Sequence, residues 1–266
     1  MQADAPDRHR QSDALDPARA GALNATLGRG GPVAPGDPLP PFYHQVYFWT
    51  PEPPGRLGRD GHPRVGGIIP DLGLPRRMWA GGRLAFHAPL IAGRRADRVT
   101  LCESHVRKEG RSGPLGFVTL RHEISQGGAL RVTEWQDLVY RADPAPGDLR
   151  PVPPVAPTDE NHARPLEVTS TLLFRYSALT FNGHRIHYDE TYAREVEGYD
   201  GLVVHGPLLA QLMMLEAEAA LGGLARFRFR ATAPLLHTER ATLCRKGATL
   251  WIRGPDGRLC MEAKAG

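Results

Sequence analysis

Residues 180–190 read TFNGHRIHYDE and gather two histidines, an asparagine, an arginine and two acids into eleven positions. Shortly afterwards comes HGPLLAQLMMLEAEAALGG, residues 205–223. Histidine is the side chain whose ordinary pKa, about 6.5, suits it to take and return a proton near neutrality. Asp189 and Glu190 have carboxylates, but Asp189 also stands where an acid caps a turn or helix start. Gly206 opens the apolar stretch. At the first turn of a helix its N–H would have no partner in the helix and would sit at the positive dipole end, a ready place for a developing oxyanion. A base followed by a helix mouth is a combination suited to carbonyl chemistry.

The elements that must hold these residues can be read around them. Leu208, Leu212 and Leu215 share one helical face, with Leu209 and Met213 beside it, and only Gln211, Glu216 and Glu218 interrupt. A helix apolar almost all round must be buried, here by a sheet. Pro207 fits its first turn and Gly222 its end. Strands are expected at 82–91, 98–109, 113–126 and 129–142, and again at 225–236, 240–246, 248–254 and 257–265, from β-branched residues and partial alternation. Phe227 and Phe229 alternate with Arg226, Arg228 and Arg230, which implies one buried and one wet face. Residues 42–49, FYHQVYFW, are too aromatic to stay unpacked. A short helix is expected within 13–27. The runs at 28–41 and 50–67 are too rich in proline and glycine for helix or central strand.

An echo runs through the chain. RLAFHAPLIAGRRADRVTLC (83–102) and RFRFRATAPLLHTERATLC (226–244) both pass from strand through Ala-Pro-Leu to a second strand ending Thr-Leu-Cys, and each follows a Gly-Gly pair. Duplication of one α+β unit is the expectation, the first copy having lost most of its helix to Pro and Gly. The organisation that follows is a partly flexible extension at 1–40, a non-catalytic half at 41–143, a Pro-rich linker at 144–158, and a half carrying the polar cluster at 159–266.

Bulk properties narrow the class. The 266 residues are 41% hydrophobic and 23% charged, with a net charge of +4. Those values describe a soluble globular chain, with no apolar run long enough to span a membrane and no signal-peptide pattern, so a cytoplasmic location is expected. Three separated cysteines make neither a disulfide framework nor a metal motif. The arginine excess is dispersed and forms no nucleic-acid block. Arg76, Arg77, Arg83, Arg175 and Arg185 are candidates for phosphates or a carboxylate, which guanidinium binds through two parallel hydrogen bonds. No dinucleotide or P-loop motif is present.

RYSALTFNGHRIHYDETYA followed by GYDGLVVHGPLL resembles the signature of MaoC-like hydratases, S-G-D-x-N-P-L-H-x-D and then P-x-x-H-G at a buried helix. MWAGGRLAFHAPL and EWQDLVYR are similar to a subgroup of mesaconyl-CoA (3-methylfumaryl-CoA) and itaconyl-CoA hydratases, near which the mitochondrial 3-hydroxyacyl-thioester dehydratases fall. The resemblance covers most of 40–266. It implies a double hotdog, two antiparallel sheets each wrapping a helix, with the N-terminal helix degenerate. It also implies reversible hydration of an α,β-unsaturated acyl-CoA, with no metal and no cofactor beyond coenzyme A in the substrate, and a possible homodimer. Carried over, His187 falls on the catalytic histidine, Asn182 on the aspartate, His184 on the asparagine and Gly206 on the glycine that polarises the thioester carbonyl. Asparagine cannot take a proton, so His187 becomes the base for water, losing activity in acid as it protonates, while Asn182 orients the water or holds His187. His184, Arg175, Arg185, Tyr188 and His205 are the expected substrate contacts. The rival expectations are a dehydratase of fatty-acid type and a non-catalytic acyl-CoA-binding hotdog.

Overall fold

The computed structural model describes residues 8–110, 113–143 and 152–266. Most of the linker expected at 144–158 lies outside them. The first half runs β1 (Arg8–Asp13), α1 (Pro17–Thr26), a 3-10 turn (Tyr43–Val46), β2 (Arg76–Phe86), β3 (Ala96–Gly110), β4 (Gly113–Gln126) and β5 (Ala129–Arg141). The second runs β6 (His162–Leu166), α2 (Ser170–Thr180), a 3-10 turn (Arg185–His187), α3 (Glu190–Glu195), α4 (Gly206–Leu221), β7 (Arg226–Ala231), β8 (Ala241–Lys246), β9 (Thr249–Arg253) and β10 (Leu259–Ala265).

All strands join in one antiparallel sheet of order β1-β3-β4-β5-β2-β7-β10-β9-β8-β6. The order is symmetric about the β2–β7 seam, and strand, helix and 3-10 turn precede the four-strand run in both halves. The first strands of the two echoing segments, β2 and β7, meet there, with Arg83 opposite Arg228 and Leu84 opposite Phe227. Gly81 and Gly82 permit the seam. A Cβ on Gly81 would lie 2.7 Å from the Phe229 oxygen, and one on Gly82 2.6 Å from the Trp135 oxygen. Trp79 beside them is partly buried, its ring against Phe42 and Phe229.

The N-terminal segment corrects the expected boundary. Arg8–Asp13 is no loose extension but pairs along β3, Arg8 opposite Leu101 through Asp13 opposite Ala96. Leu15, Ala20 and Leu23 are fully buried. A polar strand can dock because pairing satisfies its backbone on one edge while its side chains remain in water, so hydropathy alone gives it no signal. β6 was missed for the same reason.

The sheet wraps α4. Pro207, Leu208, Leu209, Ala210, Met213, Met214, Leu215 and Ala217 are buried along it, and each fully buried Leu or Met contributes about 1.5–3 kcal/mol. Leu212 is only partly buried, whereas Gln211 is fully buried with its amide donating to the Pro41 carbonyl at 2.9 Å. Gly222 ends the helix at φ 74. Among its described residues the first half has no helix as long as α4. Its place is taken by 42–48, where Phe42, Tyr43, Val46 and Tyr47 are buried, and His44 pairs with Glu134 at 2.9 Å, both side chains 1% exposed. Where the second half carries its polar cluster on a 3-10 turn, the first carries the closed His44–Glu134 hydrogen bond.

Candidate active site

The cluster is built at the junction of α2, the following 3-10 turn and the start of α4. Thr169 caps α2, its hydroxyl accepting from the Leu172 N–H. Phe181 ends the helix in the left-handed region at φ 52, costing on the order of 1–2 kcal/mol for a residue with a Cβ. Its ring stacks on Trp49 at 5.1 Å, an aromatic contact that offsets the strain. The reversal turns residues 182–187 toward the mouth of α4. Asp189 then caps α3 through the Tyr192 N–H at 2.9 Å, the bland role foreseen for it.

His187 is 6% exposed and its Nδ1 lies 2.7 Å from the Val203 carbonyl. A carbonyl only accepts, so Nδ1 carries the hydrogen and Nε2 is left as a bare acceptor. The ring stacks on His205 at 3.7 Å, and His205 is the residue directly before Gly206. His205 is fully buried, with Nε2 2.8 Å from the Ser177 hydroxyl and the Tyr176 ring at its edge. It therefore packs behind His187, and the contact with substrate expected of it finds no exposed surface, with α2 on one side and His187 on the other. Gly206 starts α4. A Cβ there would lie 3.5 Å from the Trp79 oxygen and 3.9 Å from the Met261 methyl, ordinary contacts.

Asn182 does not hold His187, since Val203 does. Its amide oxygen accepts from the His184 N–H at 3.0 Å, closing a local turn. His184 is 7% exposed, with its ring 5.3 Å from His187. Tyr188 is exposed and donates to the Gly183 carbonyl at 2.9 Å. Arg185 is committed within the chain, to Asp189 at 2.8 Å and to the Arg59 carbonyl at 3.2 Å. Arg175 lies on the exposed side of α2, away from the buried Tyr176 and Ser177. Among the other arginines, Arg76 is buried against Glu197 at 2.5 Å, and Arg83 sits over the Trp135 ring at the surface.

Sequence reasoning missed a contribution from the first half. Asp60 and His62 come from the Pro- and Gly-rich run before β2 and lie against the cluster, with the His62 ring 4.5 Å from that of His184. The only cue was a pair of ionisable residues flanking a glycine in a stretch read as a breaker. Arg77 lies near enough for its charge to depress both Asp60 and His62. A cavity of about 580 Å³ lies elsewhere, at the far end of α4 between Phe86, Glu218 and Leu224.

Burial sets the charge state. It pushes His187 down to about 3 and His62 to about 4, and moves His184 and His205 well below the ordinary value as well. His122, buried in the first half, is also pushed down to about 4 by burial. The loss of activity in acid expected from an ordinary histidine is thereby moved to much lower pH. In the unfolded chain these imidazoles bind protons below about pH 6.5, whereas in the fold they refuse them. Their contribution is thus present above that pH and is lost as pH falls toward 4. The expected result is a thermal midpoint nearly level from pH 8 to 7 that drops steeply between pH 6 and 4, with kcat/KM level until structure is lost. Scanning calorimetry and activity across that range test it. A midpoint unchanged down to pH 4 would show that the cluster takes up protons freely.

The hydroxyacyl-thioester dehydratase type 2 family matches residues 42–237. The chain is 43% identical to mesaconyl-C(4)-CoA hydratase of Chloroflexus aurantiacus over 253 residues, 92% of this chain and 90% of that protein. The chain belongs to the hydroxyacyl-thioester dehydratase type 2 family. It is accordingly an enzyme of the hydratase and dehydratase type. The mitochondrial type 2 dehydratase of Schizosaccharomyces pombe is 28% identical, over 90% of this chain and 91% of its own. HtdX of Mycobacterium tuberculosis superposes with a TM-score of 0.69 at 18% identity, covering 97% and 99% of the two chains. A second M. tuberculosis protein, described as a double hotdog, superposes at 0.61 with 14% identity over 99% and 96%. The fold is the double hotdog, its two halves fused at the β2–β7 seam. Among the described residues no helix is long and apolar enough to cross a membrane.

Proposed function

We propose that the chain reversibly hydrates an α,β-unsaturated acyl-CoA, with a short branched dicarboxylic acyl group of the mesaconyl or itaconyl type. The observation that carries the chemistry is the forced tautomer of His187, which leaves Nε2 a bare acceptor one residue's stack away from the N-terminus of α4. Nε2 takes a proton from water as the oxygen attacks Cβ. Charge that builds on the thioester oxygen is met by the Gly206 N–H, and the proton on His187 passes to Cα. The chain supplies base and oxyanion donor itself, and coenzyme A enters only as part of the substrate. The 43% identity to a mesaconyl-C(4)-CoA hydratase supports the acyl group. Arg77, whose charge is felt at His62 and His184, is the candidate partner for the free carboxylate of such a substrate.

The test is loss of enoyl-thioester absorbance on a panel of mesaconyl-, itaconyl-, crotonyl- and long-chain 2-enoyl-CoA. Preference for the branched dicarboxylic esters is expected. Preference for the long chain would favour a dehydratase of fatty-acid type. No turnover of any would leave a binding protein. Gly206→Val should lower kcat by about 10²–10³, because its side chain intrudes where the thioester oxygen must approach the N–H, an effect like that of losing one oxyanion donor. The fall in kcat should exceed any fall in stability, since the first atom of a side chain at 206 meets nothing closer than 3.5 Å. Normal turnover by the folded variant would remove Gly206 from the site.

A further inference from the structure

A water poised to attack Cβ carries two hydrogens. The base removes one, and the other needs a second acceptor if the oxygen lone pair is to stay aimed at carbon. A carboxylate would serve, but position 182 holds an asparagine, and its amide oxygen already accepts from the His184 N–H at 3.0 Å. The first half reaches into this place. A Cβ on Gly61 would lie 2.0 Å from the Gly183 oxygen, so the two backbones are in direct contact. The Arg185 N–H donates to the Asp60 carbonyl at 2.9 Å, fastening the loop to the turn that bears His184 and His187. Asp60 in turn grips His62 twice, accepting from its backbone N–H at 3.0 Å and from Nδ1 at 3.0 Å. A carboxylate on Nδ1 fixes the hydrogen there and leaves Nε2 bare.

We propose that the first half takes part in the reaction: His62, held by Asp60, accepts the second hydrogen of the water while His187 removes the first, so that this pair stands in for the carboxylate absent at Asn182. The inference rests on the hydratase reading above. As the O–Cβ bond forms, the first proton moves to His187 Nε2 and the π pair moves toward Cα and the thioester oxygen. That proton then bonds to Cα, completing addition of one H and one OH. The second hydrogen stays on the product hydroxyl, and both imidazoles end neutral. His62 touches the reacting water, and Asp60 is a positioning residue acting through it.

The experiment compares kcat, KM and thermal midpoint for His62→Ala, His62→Gln and Asp60→Asn on whichever enoyl thioester the wild type hydrates. His62→Ala should lower kcat by about 10²–10³ with KM within about threefold, the signature of a group acting in the transition state. Asp60→Asn should fall as far, because its amide donates to Nδ1 and forces the hydrogen onto Nε2. His62→Gln, whose amide oxygen accepts, should recover about tenfold of the loss. Asn182→Asp added to His62→Ala should also raise kcat by about tenfold or more, a rescue that a merely structural role for His62 would not give. Wild-type kcat in His62→Ala and Asp60→Asn would overturn the inference while leaving the hydratase reading intact. So would activity that a chelator abolishes and zinc restores, which would make Asp60, His62 and His184, with ligand atoms within 4.8 Å of one another, a metal centre. A wild type inactive on every enoyl thioester would overturn both.

Discussion

His187→Ala is expected to lower kcat/KM for hydration by about 10²–10⁴, the usual reach of a sole acid–base group. The residue is singled out by its hydrogen bonding. With Nδ1 bound to the Val203 carbonyl, its Nε2 has no choice but to accept, and its ring is held by the stack on His205. The fold should survive, because His205 keeps its bond to Ser177 and the elements around it are packed independently. Asn182→Ala should cost less. It removes the bond that closes the turn at His184, about 1 kcal/mol, but leaves the base in place. Steady-state kinetics of both variants on one thioester decides the matter. An active His187→Ala beside a dead Asn182→Ala would sink the assignment and move the base to an acid of the same turn.

Gly61→Ala should be almost as damaging, although its position in a Pro- and Gly-rich run suggests a tolerant loop. Gly61 has φ +87, and its Cβ would stand 2.0 Å from a backbone oxygen that cannot move aside without carrying Gly183 and the catalytic turn with it. Either the loop lifts away or the turn shifts, and misplacement by about an ångström is enough for a loss near 10² in kcat/KM. The thermal midpoint should fall by only a few degrees, since the loop lies outside the main apolar cluster. Gly55→Ala, in the same run but with nothing near its Cβ and no positive φ, is the control and should behave as wild type. Equal activity of all three proteins would show that contact between loop and turn has no bearing on the site.

These two variants mark where reading the chain succeeded and where it stopped. Residues 182–187 and 206 were legible as a polar turn and a helix start, because both are local structures. The apolar periodicity of α4 and the alternation of Phe227 and Phe229 against three arginines were equally legible, and both are buried as expected. The repeat in 83–102 and 226–244 correctly announced two equivalent strands. Their pairing across the seam agrees with side-by-side halves.

The sequence by itself determined the kinds of group gathered in the candidate site, the buried helix that begins at Gly206, and the doubling of the fold. Tertiary structure decided which nitrogen of His187 is bare, because the Val203 carbonyl that settles it is sixteen positions away. It turned His205 from a ligand contact into a buried support, and it held Asn182 in a turn of its own. It also brought Asp60 and His62 from the other half against the cluster, across more than a hundred positions of chain. Such contacts leave no periodic trace. They depend on two glycine backbones meeting and on burial removing water, and both come into being only when the chain has closed on itself.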